Sequence, residues 1–354
     1  MVADPRVQAA VARVPVLRRF ARRDGDALMD LVAGFVHSQV LLAVVRLRLL
    51  NRLMDGPADA ATLADGTGID ARRMAVLCDA ACALSLMRRR RKGYAIARRG
   101  AALLGVPGLE GMILHHPVLY RDMADPVALL QGADTELSAF WPYVFGAGAA
   151  ADPQRAATYS QLMTDSQTLV AQDTLARVDL SRARRVLDVG GGTGAFLIAL
   201  GRAHPGPALH LFDLPAVVPG ARARFAEAGL EGRATVSAGS FRDDPLPTGA
   251  DVVTLVRILY DHDDVTAMAL LQAVRAALPP DGRVVVSEPM TGGDRPHRAG
   301  DAYFAFYTLA MGTGRARAPS RITAMLREAG FAAPRDHGSA RPFVTHVLSA
   351  GVTQ

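Results

Sequence analysis

The sequence predicts an α/β fold in which a Rossmann-like domain follows a mostly helical domain that contains a winged-helix element. In the second half of the 354 residues, apolar runs that end in acidic or glycine residues alternate with helical segments. This alternation is typical of a parallel sheet with crossover helices. In the first half, apolar residues recur at helical spacing instead. We place the boundary after residue 152, so the predicted domains are 1–152 and 153–354.

The amino-terminal domain opens with a predicted helix that has a broad apolar face. Its apolar residues recur near helical spacing at Leu28, Leu31, Val32, Phe35, Val36, Val40 and Leu41. Such a face suits a dimer interface. Polar and charged residues interrupt the longest apolar stretch, 31–50, so we do not expect it to span a membrane.

A winged helix is predicted over residues 60–99. A short segment at Thr62, a glycine turn at Gly66, a helix from Ala71 and the basic run 88–92 follow one another there. Winged helices often bind DNA, and a basic wing can neutralise phosphates. A DNA-binding regulator is therefore the non-enzyme alternative, although a regulator has no need of the second half of the chain.

The most informative motif is the glycine loop after the strand-like run 186–189. Gly190 and Gly192 lack Cβ atoms, so the backbone can turn tightly and a ligand can approach it closely. About twenty residues on, the next apolar run ends in Asp213, followed by Leu214, where a carboxylate can accept ribose hydroxyls. A third run leads to Gly239, Ser240 and Phe241, where the aromatic ring can pack on an adenine. These residues predict a nucleoside-type cofactor.

These units resemble the class I S-adenosylmethionine-dependent methyltransferases. With the winged helix in front, the chain resembles the O-methyltransferases of the caffeate and acetylserotonin type over nearly its whole length. The resemblance implies S-adenosyl-L-methionine as cofactor, no metal, and a homodimer formed through the amino-terminal domain. It also implies cofactor contacts from Tyr159, Met163 and Arg257.

At the position of the family's catalytic base, this chain differs from the plant members. Where plant members have a general-base histidine, this chain has Tyr260, followed by Asp261, His262, Asp263 and Asp264. Tyrosine is mostly neutral near pH 7, so we expect Tyr260 to position the acceptor and His262 to be the candidate base. At a strand end, residues i and i+2 point to one side, so both could reach one site. Alternatively, Asp263 or Asp264 caps a helix that begins near residue 265, and His262 is exposed.

The acceptor site is expected to include His115 and His116, together with Tyr303, Phe306 and Tyr307. Helical spacing puts the three aromatic residues on one face. The alternatives are that the histidine pair forms a structural turn and that the aromatic residues are ordinary core.

Four segments spread over both domains carry a narrower resemblance, at 115–132, 255–264, 300–317 and 340–350. They are most similar to the bacterial hydroxyneurosporene (demethylspheroidene) O-methyltransferases, which methylate a tertiary hydroxyl of a carotenoid. The resemblance implies an apolar acceptor, namely a hydroxylated acyclic carotenoid of the spheroidene or spirilloxanthin type. Bacteriochlorophyllide C-methyltransferases and polyketide or phenol O-methyltransferases remain alternatives.

The formal net charge of +6 has two interpretations. A basic surface can approach acidic lipid or nucleic acid. Because Lys92 is the only lysine, a coding bias towards arginine is the other explanation. We expect a cytoplasmic protein without a nucleic-acid partner, and leave peripheral contact with the photosynthetic membrane open.

Overall fold

The structure, a computed structural model, describes residues 15–140 and 166–352. The chain divides into two compact units, Met1–Leu114 and His115–Gln354. Residues 115–140, which the sequence prediction assigned to the first domain, group with the second unit. The predicted boundary between residues 152 and 153 lies outside the described residues and stays a prediction.

The first unit contains one long helix and several short ones. The helices and strands lie at Pro15–Arg46, Leu49–Arg52, Ala60–Ala64, Ala71–Ala83, Met87–Arg90 (β1), Gly93–Ile96 (β2) and Arg98–Gly105. A further helix, Leu109–Asp122, continues into the second unit. The winged-helix prediction agrees with this order, because two helices precede an antiparallel hairpin in which Arg88 pairs with Ala95.

Local capping explains where the helices of the winged helix begin. The carboxylate of Asp59 accepts a hydrogen bond from the Thr62 amide at 2.8 Å, and that of Asp70 accepts one from the Arg73 amide at 2.9 Å. Each carboxylate satisfies an amide that has no partner within its own helix. Between these helices and the hairpin, Met74 and Met87 are buried.

The long helix leaves its predicted apolar face open in the single chain. Leu31 and Phe35 are each 71% exposed, and Val32 is 68% exposed. Its Arg22–Arg46 portion is long and apolar enough to cross a membrane by length and composition alone, which is weak evidence because helices of soluble proteins pass the same test. That this stretch does not span a membrane stays a prediction.

The second unit is built on a seven-stranded sheet. Its strands are Arg185–Val189 (β3), Ala208–Asp213 (β4), Ala234–Ala238 (β5), Val252–Val256 (β6), Arg283–Glu288 (β7), Phe331–Gly338 (β8) and His346–Val352 (β9). The order is β5-β4-β3-β6-β7-β9-β8. Six strands run in the same direction, and β9 runs antiparallel to them, between β7 and β8. All five residues of β6 are buried, as expected for a central parallel strand covered on both faces.

Helices cover the sheet and extend beyond it. Those of the second unit are Pro126–Leu130, Glu136–Phe140, 166–175, Ala195–Ala203, Val218–Glu227, Asp264–Ala277, Ala305–Met311 and Pro319–Glu328, with a π-helix at Arg298–Phe304. One core cluster centres on Leu187, Leu255 and Leu271, and a second on Val186, Phe196 and Leu209. Since Val186 and Leu187 are successive strand residues, the two clusters occupy opposite faces of the sheet.

Candidate active site

The candidate site lies where the order of the strands changes direction. From β3 the sheet extends through β4 and β5 on one side and through β6 and β7 on the other. In open α/β sheets, this switch leaves a crevice at the carboxyl ends of the strands. Those predicted cofactor residues that lie among residues 166–352 stand at or just after the ends of β3, β4, β5 and β6, so the topology brings them to one edge of the sheet.

Both predicted glycines of the loop have a positive φ, but a side chain would meet different surroundings at each. Gly190 has a φ of 67°, and a Cβ atom there would lie 2.5 Å from the Ile258 side chain. Gly192 has a φ of 59°, but no heavy atom lies within 4 Å of the place where its Cβ would be. The backbone at Gly192 is therefore open to a ligand.

Asp213 at the end of β4 anchors that loop. Its two carboxylate oxygens accept hydrogen bonds from the amides of Gly192 and Leu214, each at 2.7 Å. Burial raises the Asp213 pKa to about 6, and the two amide hydrogen bonds oppose that rise. The predicted ribose-binding carboxylate thus lies directly beside the glycine loop.

The end of β5 supplies the third predicted contact. A Cβ atom on Gly239 would lie 2.6 Å from the Phe212 ring, so the chain passes closely beneath that ring. The Ser240 amide donates to the Asp244 carboxylate at 2.8 Å, which fixes the turn that presents Phe241. The prediction of an adenine contact here is compatible with this placement.

Asp188 in β3 is an unpredicted member of the cofactor region. One carboxylate oxygen accepts a hydrogen bond from Thr254 at 2.6 Å, while the other is buried without a partner among the described residues. That second oxygen would lie 2.5 Å from a Cβ on Gly191, so it faces the loop. Burial raises the Asp188 pKa to about 7. An unsatisfied acid beside an open glycine backbone fits a cofactor that carries an ammonium group and a ribose.

Arg257 leaves β6 in a strained conformation. Its φ is 57°, which is uncommon for a residue with a Cβ atom and is typical of functional sites. Its guanidinium donates to the Ser166 hydroxyl at 2.8 Å and to the Tyr260 hydroxyl at 3.1 Å. The structure therefore brings the predicted cofactor arginine and the predicted catalytic tyrosine into direct contact.

The expectation that Tyr260 and His262 point to one side of a strand end was wrong. Strand β6 ends at Val256, and Leu259–Asp261 form a 3₁₀ turn, in which the alternation of a strand does not apply. The alternative proved right about the cap, because the Asp263 carboxylate accepts the Thr266 amide at 2.8 Å and the helix begins one residue after Asp263. That alternative was wrong about His262, which is buried.

His262 is held as a neutral imidazole. Arg242 lies 3.1 Å from its Nδ1 atom, and since arginine can only donate, Nδ1 accepts this hydrogen bond. The ring packs edge-on against Phe241, with 5.2 Å between ring centroids. Burial first, and then the Arg242 charge, lower the His262 pKa to about 4.

Arg317 braces the turn and was not predicted from the sequence. Its guanidinium donates to the Leu259 carbonyl at 2.7 Å and to the His262 carbonyl at 2.8 Å. It also pairs with Asp264 at 2.8 Å, and its own side chain is only 1% exposed. It lies 55 residues after His262, so no local pattern points to it.

Two carboxyl groups flank Tyr260, of which Glu288 is buried and Asp261 is half-buried. One Glu288 oxygen accepts the Tyr260 amide at 3.2 Å, and the other has no partner among the described residues. Asp261 likewise has one buried, unpartnered oxygen in the described part of the chain. Burial raises the pKa of Asp261 to about 7, against the lowering effect of Arg257, and that of Glu288 to about 8. Both acids titrate near neutral pH, which suits proton transfer.

The predicted acceptor residues form paired contacts. His115 lies 3.0 Å from the Tyr307 hydroxyl, and His116 lies 2.8 Å from the Tyr303 hydroxyl, in both cases through Nε2. Phe306 packs beside Tyr307 against a small core cluster that includes Leu119 and Met311. The histidines thus lie within a helix rather than in a turn, and Phe306 has a core role as well. Predicted cofactor residues Tyr159 and Met163 lie outside the described residues.

The chain belongs to the S-adenosylmethionine-dependent O-methyltransferases. A model of the O-methyltransferase domain matches residues 120–332, and one of the O-methyltransferase dimerisation domain matches residues 29–105. The second match supports a homodimer, for which the open apolar face of the long helix is available.

Curated relatives cover nearly the whole chain. Demethylspheroidene O-methyltransferase of Cereibacter sphaeroides is 56% identical over 347 residues, which are 98% of this chain and 92% of the relative. The enzyme of that name from Rhodobacter capsulatus is 52% identical over 98% of this chain and 86% of the relative. The solved structure of CalO1, a methyltransferase of calicheamicin biosynthesis with S-adenosylhomocysteine (SAH) bound, has a TM-score of 0.76 at 26% identity and covers 94% of this chain and 98% of that one.

Proposed function

We propose that this protein transfers a methyl group from S-adenosylmethionine to the tertiary hydroxyl of a hydroxylated acyclic carotenoid. The observation that carries the proposal is the 56% identity to demethylspheroidene O-methyltransferase across both units of the chain. S-adenosylmethionine, when bound, supplies an electrophilic methyl group on a sulfonium.

An uncharged acceptor site supports this choice. Burial lowers the pKa values of His115, to about 4, and of His116, so both imidazoles are neutral at pH 7. Each is hydrogen-bonded to a tyrosine, Tyr307 or Tyr303, so its polarity is satisfied within the protein. We propose that the two histidines, the two tyrosines and Phe306 contact the acceptor. An apolar carotenoid chain requires such a wall of uncharged side chains.

We propose that Gly190, Gly192, Asp213, Leu214, Gly239, Ser240 and Phe241 hold the cofactor, with Asp188 receiving its ammonium group. Arg257 and Tyr260 lie beside this region, and we propose that Tyr260 positions the acceptor hydroxyl while Arg257 orients the phenol. Burial raises the Tyr260 pKa, so this phenol stays neutral and can donate or accept a hydrogen bond.

Asp261 is the proton acceptor that we propose in place of the missing histidine. It neighbours Tyr260, has an unpartnered oxygen, and titrates near pH 7. Glu288 is more deeply enclosed and bonds the backbone of the turn, so we assign it to positioning. His262, with Nδ1 occupied and a pKa near 4, is a poor base.

We expect Asp213→Ala to weaken S-adenosylmethionine binding by about 1.5–3 kcal/mol, the value of hydrogen bonds to a charged group. The change removes both the proposed ribose contact and the anchor of the Gly192 loop. Calorimetric titration of the purified chain measures it, with Asp243→Ala, an exposed acid in the second unit, as the control. Equal affinity of the two variants would contradict the assignment of Asp213.

His262→Ala is expected to lower kcat less than tenfold, because the imidazole supports Phe241 and accepts from Arg242 without taking a proton. The steady-state rate with saturating cofactor measures this. A loss of a hundredfold or more, with an ascending pH limb abolished, would restore His262 as the base.

The function itself is tested by incubating the purified protein with S-adenosylmethionine labelled in its methyl group. We expect a labelled methoxy product with a detergent-dispersed acyclic carotenoid that carries a tertiary hydroxyl. Transfer to a bacteriochlorophyllide or to a phenol, with none to the carotenoid, would overturn the proposal in favour of those acceptors.

An acceptor of this kind partitions into a bilayer rather than into water. We therefore also propose that the protein acts from the cytoplasm, in peripheral contact with the membrane that holds its substrate.

A further inference from the structure

The positive charge of this protein is concentrated around the wing hairpin. Seven of the 40 lysine and arginine residues lie within residues 80–109, a stretch that holds no aspartate or glutamate. The rest of the chain therefore carries 33 basic residues against 34 acidic ones. A coding bias towards arginine acts along the whole chain, so it does not account for this concentration.

The two faces of the hairpin differ in how their charges are neutralised. On one face, Arg89 pairs with Asp79 at 2.6 Å, and the Tyr94 hydroxyl donates to the same carboxylate. Side chains alternate along a strand, so Arg88 and Arg90 point to the opposite face. Those two, with Arg91 and Lys92 at the tip, are exposed and have no ion-pair partner within residues 15–140 and 166–352.

Apolar side chains lie beside these free charges. Arg88, Arg90, Arg91 and Lys92 line one side of a groove of about 570 Å³, whose other lining residues include Leu53, Met54, Pro57 and Ile96. Met54 is 66% exposed. The groove thus places four cations beside an apolar floor. That floor offers no side-chain hydrogen bond to the edge of a nucleic-acid base, so it does not favour sequence-specific DNA binding.

We propose that this surface, the wing surface, docks the protein on an anionic phospholipid bilayer. The four cations pair with lipid phosphates, and Met54 with its apolar neighbours enters the headgroup region. The choice of a lipid partner rests on the proposed function, which places the acceptor in a membrane. Charge complementarity and the apolar floor are independent of it.

Co-sedimentation of the full chain with vesicles tests the proposal without any methyl acceptor, so its outcome is separable from that of the methylation assay. We expect binding to equimolar phosphatidylcholine–phosphatidylglycerol vesicles, weak binding to pure phosphatidylcholine, and loss of binding between about 50 mM and about 500 mM salt. The variant R88A/R90A/R91A/K92A should lose several hundredfold in affinity, at about fivefold for each basic residue.

Two further variants serve as a charge-matched control and as a smaller change at the hairpin tip. The variant R202A/R295A/R327A/R335A removes the same charge from exposed positions of the second unit and should bind vesicles as the unaltered chain does. Arg91→Gln with Lys92→Gln changes only the tip of the hairpin and should lower vesicle affinity about 25-fold. Unchanged calorimetric affinity for S-adenosylmethionine shows that each variant is folded.

Three results would overturn the proposal. The first is equal vesicle affinity of the wing variant and its charge-matched control. The second is a change of oligomer mass in light scattering on altering the wing, which would assign the surface to a second copy of the chain. The third is tighter binding to a DNA duplex than to anionic vesicles at the same salt, which would assign it to nucleic acid.

Discussion

Asp261→Asn is expected to reduce kcat by about 10²- to 10⁴-fold, the usual contribution of a positioned general base. Asparagine keeps the size of the side chain but cannot take a proton from the acceptor hydroxyl. The KM for S-adenosylmethionine should change little, because the proposed cofactor contacts lie on the glycine loop, Asp213 and the end of β5. Steady-state kinetics with a hydroxylated carotenoid measures both constants.

The pH profile separates a base from a merely structural acid at this position. The base must be deprotonated, and burial raises the pKa of Asp261 to about 7, so activity should rise as the pH increases through 7. That ascending limb should disappear in Asp261→Asn and persist in Asp294→Asn, a change at an exposed acid. An ascending limb that survives in Asp261→Asn but vanishes in Glu288→Gln would transfer the role to Glu288.

Arg317→Ala is expected to lower the free energy of unfolding by about 2–6 kcal/mol, because two buried backbone carbonyls each lose a charged donor, at about 1–3 kcal/mol for each carbonyl. The change removes the guanidinium donor of the Leu259 and His262 carbonyls, and it removes one arginine partner of Asp264, which keeps Arg321. Because that turn carries Tyr260 and Asp261, kcat should fall with stability. Urea unfolding followed by circular dichroism measures the first effect.

Arg321→Ala is the matched control, since Arg321 pairs with the same Asp264 carboxylate at 3.0 Å but is 47% exposed. An exposed pair contributes only about 0–1 kcal/mol. Similar urea midpoints for the two variants would show that Arg317 does not brace the turn.

The sequence predicted the elements whose signals are local. Glycine spacing predicted a cofactor loop and the acid at the end of the next strand predicted a second contact, and the Gly192–Asp213 hydrogen bond brings the two together. The winged helix followed from its turn glycines and its basic run. In contrast, the groups around Tyr260 are brought together from separate parts of the chain. Glu288 lies 28 residues after Tyr260 and Arg317 lies 57 residues after it. Neither residue shares a helical or strand periodicity with Tyr260.

His262 shows what a local pattern leaves out at this site. Its pKa as an isolated side chain favoured it as the base, whereas burial and the Arg242 contact lower that pKa, and this supports our proposal of Asp261 instead. Which residues surround an imidazole depends on strands that meet only in the folded sheet.

By itself, the sequence determined the α/β fold, the winged helix and a nucleoside-type cofactor, because periodicity, glycine conformations and capping act over a few residues. The methyl donor followed from the resemblance to a known family. Only the tertiary structure decided that Tyr260 contacts Arg257, that Glu288 is buried and Asp261 half-buried beside it, and that the free charges of the wing share one groove. Those properties depend on desolvation and on charges that distant segments contribute, and neither can be read from neighbouring residues.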